Sequence, residues 1–236
     1  MKRFYREVSV APQADGWRVA LDGRAIRTPL GAPQVVPTRA LAEAMADEWR
    51  RQGETIDTAG FVLRDLADYA IDVVRGDRAA AIDGLLAFAQ TDTLCYRADP
   101  EDALYRRQHE VWEPLVTALE AREGVRLERV SGVIHRPQPA PTLAALRARL
   151  EGADDFALSG VHAMASLAAS LCVALAALHD DADAEALWNA ANLEEDWQAE
   201  LWGRDEEAAA RRDQRRTRFL AASEFAALAR RQEGAA

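Results

Sequence analysis

Between residues 156 and 178 the chain reads FALSGVHAMASLAASLCVALAAL, a long run without a single charge. A run of this length suffices to cross a bilayer, so it has to end up in lipid or inside protein. Its apolarity comes largely from alanine, diluted by serine and His162. Acidic pairs, Asp154-Asp155 and Asp180-Asp181, flank both ends with no basic excess on either side. The segment is therefore predicted to form one helix over 155–179, buried on all sides within a soluble helical bundle.

The charge balance narrows the partners. With 39 Asp and Glu against 29 Lys and Arg, the formal net charge is -10. That argues against a nucleic-acid surface, which needs clustered cations, and against an anionic membrane surface. It suits a soluble protein that meets a basic partner patch. Cys95 and Cys172, the only cysteines, are too few and too far apart in sequence for a disulfide framework or a thiolate zinc site. Reduced and buried cysteines fit a cytoplasmic protein. The N-terminus, MKRFYREVSV, has neither the apolar run nor the cleavage site of a signal peptide.

Two grammars divide the chain. Phe4, Tyr5, Val8 and Val10 suggest a first strand. WRVAL (17–21) and RAIRT (24–28) flank Asp22-Gly23, a two-residue turn of the tight-hairpin kind, in which both central residues need positive φ. Pro29, Gly31 and Pro33 mark a loop, and QVV (34–36) a short further strand. Thr38 is placed to cap a helix running to about Gln52, with Leu41, Met45 and Trp49 on one face. Helices then follow near 62–75, 77–90, 100–122, 142–151, 155–179, 183–203 and 205–232, and Pro114 should bend or interrupt the third. LCYRA (94–98) and VRLERV (125–130) read as extended. SGVIHRPQPAPT (131–142) reads as a loop ordered by packing. The expected fold class is α+β: a β-rich N-terminal domain with one helix over 1–60, then a larger, mostly helical domain over 61–236.

No catalytic constellation stands out. HEVWE (109–113) approaches a zincin motif but lacks the second histidine. Phosphate-cradling glycine patterns and a GxSxG elbow are missing. Cys95 has no base beside it in any motif. Catalytic, metal and cofactor residues are accordingly expected to be none.

The stretch NLEEDWQAELWGRDEEAA (192–209) holds seven carboxylates and two tryptophans. On a helix, Leu193, Trp197 and Leu201 form an apolar stripe beside a polar row of Glu194 and Gln198. Asp205, Glu206 and Glu207 suit a first helical turn, with Arg211 and Arg212 one turn later as partners. Glu194 differs: it is read as mid-helix, with no basic residue at i+3 or i+4. It is either a solvated helix acid or an acceptor of a charge-assisted bond from a partner.

Several stretches together resemble one family, the assembly chaperones of the F-type ATP synthase that bind its unassembled alpha subunit. They are FYREV (4–8), GWRVALDGRAIRTPLG (16–31), ADEWRRQ (46–52), TDTLCYR (91–97), QHEVWEPL (108–115) and LEEDWQAELWGRDEEA (193–208). The patterns LDGRxxxTPxG and LEExWQxxxWGxDxEA are specific as a pair. The resemblance implies a β-rich N-terminal and a helical C-terminal part, no enzymatic activity, and the shielding of the alpha subunit before it pairs with beta. It carries a required acid onto Glu194. The expected partner-binding residues are Glu194, Gln198, Trp202 and Asp205, with Trp49 and Trp197 as structural residues and a monomer when free. The chain departs from the family's pattern at Thr93, where a larger apolar residue is usual, and at Ala169, where glycine is common. A general acidic interaction module, or a carboxylate enzyme joining Glu194 to Asp92 or Asp68, are the competing readings.

Overall fold

A computed structural model describes residues 1–132, 134–203 and 205–230. The α+β class holds: three short strands open the chain and helices dominate the remainder. Two compact units form, one from Met1–Arg78 with Asp154–Gly160 and the stretch from Glu224, the other from Ala79–Ala153 with Val161–Ser223.

In the first unit β1 (Val8–Gln13), β2 (Gly16–Leu21) and β3 (Arg24–Ala25) make an antiparallel sheet in that order. Val8 pairs with Leu21 and Gln13 with Gly16. Asp22 and Gly23 both have positive φ, 48° and 77°, as the tight turn demands. The Asp22 carboxylate also accepts the Glu7 and Arg6 amides at 2.8 and 3.0 Å, which hold its carboxyl below the usual range. Gly16 is obligatory for another reason: a Cβ there would lie 2.3 Å from the Val36 carbonyl oxygen. The expected strand at 34–36 is reduced to single bridges, Trp17 with Val36 and Arg27 with Pro33.

Helix α1 (Arg39–Arg50) starts where Thr38 Oγ1 accepts the Leu41 amide at 3.1 Å. The same hydroxyl donates to the Leu228 carbonyl at 2.8 Å. Leu41, Met45 and Trp49 are buried on one face. Trp49 is 7% exposed, with Phe61 and Tyr5 ring centroids 4.4 and 5.5 Å away. Buried Glu48 reaches forward to cap α2 (Val62–Tyr69), accepting the Leu63 and Arg64 amides at 2.7 and 3.0 Å. Helix α2 runs on into a π-helical turn at Ala70–Val74, whose Asp72 holds the 28–33 loop through Thr28 Oγ1 and the Leu30 amide. The unit's last pieces are the start of α6 (Asp155–Ala168), where Phe156 lies 6.2 Å from Phe225, and the end of α10 (Glu206–Arg230).

The second unit is built around α4 (Ala103–Glu123), which packs against α5 (Ala140–Glu151), α7 (Leu171–Ala176) and α9 (Leu193–Trp202). Pro114 was expected to bend or interrupt α4, and the helix runs through it without interruption. Tertiary bonds from the two residues before the proline offset the lost amide: Trp112 Nε1 donates to the Ala190 carbonyl at 2.7 Å, and Glu113 pairs with Arg97 and Arg129 at 2.7 and 2.8 Å. Burial pushes the Glu113 carboxyl up, but the two guanidiniums overcome it and bring it to about 2. The two extended stretches become β4 (Tyr96–Arg97) and β5 (Val130–Ser131), paired in parallel. The proline-rich loop is anchored by Gln138, buried and bonded to Gln90 and to the Glu128 backbone. Val133 of this loop, and the 231–232 end of the last expected helix, lie outside the described residues.

The charge-free run does not form the single helix expected of it. It divides into α6 (Asp155–Ala168) and α7, with Ala169 at φ 49° and Ser170 capping α7 through the Val173 amide. The cause lies far away in sequence. Asp92, wholly buried, accepts Ser170 Oγ, the Cys172 amide and the Leu94 amide at 2.7, 2.8 and 3.1 Å. Thr93 donates its amide and its hydroxyl to the Ala169 carbonyl at 3.1 and 3.0 Å. The two departures from the family pattern therefore meet at one point. A left-handed alanine costs about 1–2 kcal/mol, and the Thr93 hydroxyl adds a bond that a purely apolar residue there would not supply. The run is buried in protein, and among the described residues no helix is long and apolar enough to cross a membrane.

Two tests follow from the first unit. Trp49→Arg should destabilise the protein by roughly 3–5 kcal/mol, because a guanidinium would replace an indole in an aromatic cluster; a denaturant melt reads it. Asp68 tests the sign of a titration. Burial lifts its carboxyl from 3.8 to about 6, against the lowering effects of the Gln34 amide and Arg64. The folded state therefore prefers the protonated acid, and this stability is lost as pH rises from about 4 through 6. Asp68→Asn, still able to accept from Gln34, should raise the melting temperature at pH 7.5 and leave it nearly unchanged at pH 4.

Candidate functional site

Asn192 breaks the expected 183–203 helix into α8 (Ala184–Ala191) and α9. Its side chain turns back to the Trp188 carbonyl at 2.8 Å and accepts from Arg215 at 3.1 Å. Glu194 consequently stands in the first turn of α9, not in mid-helix, and so do Glu195 and Asp196. An exposed helix start favours such charges.

Most of the acids have partners within the chain. Arg215 pairs with Glu195 at 2.8 Å, and Arg212 holds both oxygens of Asp196, the longer bond being 2.7 Å. Arg107 grips Glu200 with bonds of 2.6 and 2.9 Å. Arg211 pairs with Glu207 one turn away, as expected, whereas Arg212 turns to Asp196 and not to the 205–207 acids. Asp205 caps α10 (Glu206–Arg230) through the Ala208 amide at 2.7 Å.

Glu194 differs from its arginine-paired neighbours on α9. Among the described residues no cation pairs with it; its one hydrogen bond comes from Gln108 Nε2 to Oε1, at 2.5 Å. Gln108 is wholly buried on α4, and its own Oε1 accepts the Ala98 amide at 2.8 Å, which fixes the amide's orientation. Glu194 is exposed as a residue, yet its carboxyl sits against neighbours. Burial raises that carboxyl above the ordinary range, and the Gln108 bond pulls it partly back. The result is an acid held in a set direction by a neutral donor.

The remaining expected site residues fall in three places. Gln198, Trp202 and Asp205 line one cleft of about 510 Å³, together with Trp188, Ala199 and Ala209. Trp202 is 78% exposed and Leu201 57%. The apolar stripe thus grades outward: Leu193 is buried, Trp197 half-buried under the Arg107 guanidinium at 5.6 Å, and Leu201 open. Trp49 belongs to the first unit's aromatic cluster. Gln108 went unrecognised as a site residue, because its partner lies 86 positions away.

Two sets of groups were examined for chemistry. Asp92, Cys95 and Cys172 bring a carboxylate oxygen and two sulfurs within 4.8 Å of one another, despite their distance in sequence. All three are buried, and the Asp92 oxygens already accept three donors, so the cluster reads as the clamp that shapes α7. Being sealed, Asp92 shares no cleft with exposed Glu194, which removes that pairing from the carboxylate-enzyme reading.

The structure thus joins a β-rich entry and a helical bundle to an acidic, tryptophan-bearing surface. Comparison with known proteins makes the class definite. The ATP12 chaperone protein family matches residues 2–120, and the chain belongs to that family. It is the assembly-chaperone family that the sequence motifs resemble. The crystal structure of Atp12 from Paracoccus denitrificans is 37% identical, with a TM-score of 0.90 over 97% of this chain and 98% of that one. The crystal structure of the Atu1473 protein from Agrobacterium tumefaciens is 38% identical, with a TM-score of 0.91 over 96% of this chain and 85% of that one. "Protein atp12, mitochondrial" from Schizosaccharomyces pombe is 26% identical over 219 residues, 88% of this chain and 75% of that protein.

The Gln108 bond can be tested directly. Since it lowers the Glu194 carboxyl, Gln108→Leu should shift the Glu194 titration midpoint upward, as followed by carboxyl carbon NMR. An unmoved midpoint would mean that the bond does not form in solution.

Proposed function

We propose that this protein is a non-catalytic chaperone for assembly of the F-type ATP synthase catalytic head, and that it binds the free alpha subunit and shields it until beta arrives. The contact residues are Glu194, Gln198, Trp202 and Asp205; Trp49 and Trp197 maintain the fold. The protein acts in the cytoplasm, as a monomer when free.

One observation carries this reading. Glu194 is an exposed anion with no cation paired to it among the described residues, oriented by a buried amide and set on the helix that ends in exposed Leu201 and Trp202. Such a carboxylate gains more from a partner's donor than its arginine-paired neighbours do, because no internal pair has to break first. The apolar residues beside it suit a subunit whose unassembled interface would otherwise aggregate. A chaperone that must later be displaced needs modest affinity; micromolar binding, about −8 kcal/mol, is enough.

The test is co-expression with alpha in the absence of beta. The wild-type chain should keep alpha soluble and co-purify with it. Glu194→Gln can still accept from Gln108, so it should melt within a few degrees of wild type yet lose most of the protection. If the variant protects alpha fully, Glu194 is not a contact; if it unfolds, Glu194 is structural.

A further inference from the structure

We propose that the cleft between the end of α9 and the start of α10 receives an arginine side chain of the client, its guanidinium lying on the Trp202 indole and pairing with the cleft's carboxylates. The proposal rests on the reading of function above and specifies the chemistry of the contact.

Charge is the first argument. Glu195, Asp205 and Asp213 line the cleft, as do Arg212 and Arg216. Arg212 is already bound by Asp196, and Arg216 by both oxygens of Glu185, at 2.5 and 2.7 Å. Arg215 pairs with Glu195. Among the described residues, the cleft is thus lined by three carboxylates (Glu195, Asp205 and Asp213) and two guanidiniums (Arg212 and Arg216), and each guanidinium is already paired to an acid outside the lining, so negative charge prevails. Asp205 uses Oδ1 to cap α10 and, among the described residues, pairs with no cation. The positive end of the α10 dipole opposes a cation, but it amounts to about half a charge. Three acids, Asp205, Glu206 and Glu207, stand at that end, and among the described residues only Glu207 is paired to an arginine.

Shape is the second argument. Trp202 presents a nearly bare indole, and Ala199, Ala208 and Ala209 keep the cleft floor low, so a long aliphatic stem can lie along it. A planar cation that stacks on an indole while forking onto a carboxylate is a guanidinium; an ammonium cannot do both. The chain itself repeats this geometry nearby, with Arg107 over Trp197 at 5.6 Å and Arg215 over Trp188 at 5.7 Å, each also paired to an acid.

The experiment has two arms on the full chain. In the first, argininamide, lysinamide and the neutral isostere citrullinamide are titrated while the indole N–H resonances are followed, that of Trp202 being assigned by Trp202→Phe. Argininamide alone should shift the Trp202 signal progressively. Equal shifts with citrullinamide or lysinamide, or none with argininamide, overturn the proposal. In the second, binding of free alpha subunit is measured for wild type, Trp202→Phe and Trp202→Ala. Trp202→Ala should weaken binding about tenfold with an unchanged melting temperature, and Trp202→Phe by less. Undiminished binding by Trp202→Ala defeats the cleft proposal and leaves the chaperone reading intact. Failure of wild type to bind alpha at all defeats the chaperone reading, while the first arm still decides whether the cleft takes a guanidinium.

Discussion

A carboxylate with no access to water organises the helical unit. Asp92 gathers donors from Leu94, Ser170 and Cys172, and this fastens the turn before β4 to the start of α7. Unpaired burial of such a group would cost several kcal/mol; three donors make it tolerable and tie it to one geometry. From the fastened turn the backbone runs through β4 to Ala98, whose amide orients Gln108, whose other end holds Glu194. The exposed acid is therefore reached from the sealed one through a short series of backbone and amide contacts. None of these links is an ion pair, so salt screens the arrangement little.

The surrounding acids make the contrast informative. A net charge of -10 suggests a broadly repulsive surface, yet the acidic helices are laced with arginine pairs, many of them bidentate. Surface pairs of this kind contribute little individually. Their effect here is to neutralise most of the carboxylates locally and to leave a few that are distinguished by position: Glu194, and Asp205 at the cleft.

Local rules made much of the fold legible. Asp22-Gly23 announced its hairpin because few dipeptides accept two positive φ values, and Thr38 announced α1 because its hydroxyl matches an orphan amide. The break at Ala169 was hidden, since alanine carries no sign of left-handed backbone and its cause, Asp92 with Thr93, lies over seventy residues earlier. Asn192 is different: an asparagine with three acids among the next four residues in NLEEDW is a helix-start signature, which the longer apolar period running through it masks. Of the candidate site, the oddity of Glu194 was readable from its lack of basic neighbours at i+3 and i+4. That Gln108 holds it was not readable, because side-chain pairing across 86 residues leaves no periodic trace.

The last helix has a part in the unit that begins the chain. Phe225, beside Phe156, and the Leu228 carbonyl, which takes the Thr38 hydroxyl, complete a core started by residues 1–78. During synthesis the core of residues 1–78 therefore stays unfinished until residues 224–230 have left the ribosomal exit tunnel. A chain cut short near residue 224 would accordingly fail at its beginning as well as at its end, and partly made copies would be unable to present a completed N-terminal unit.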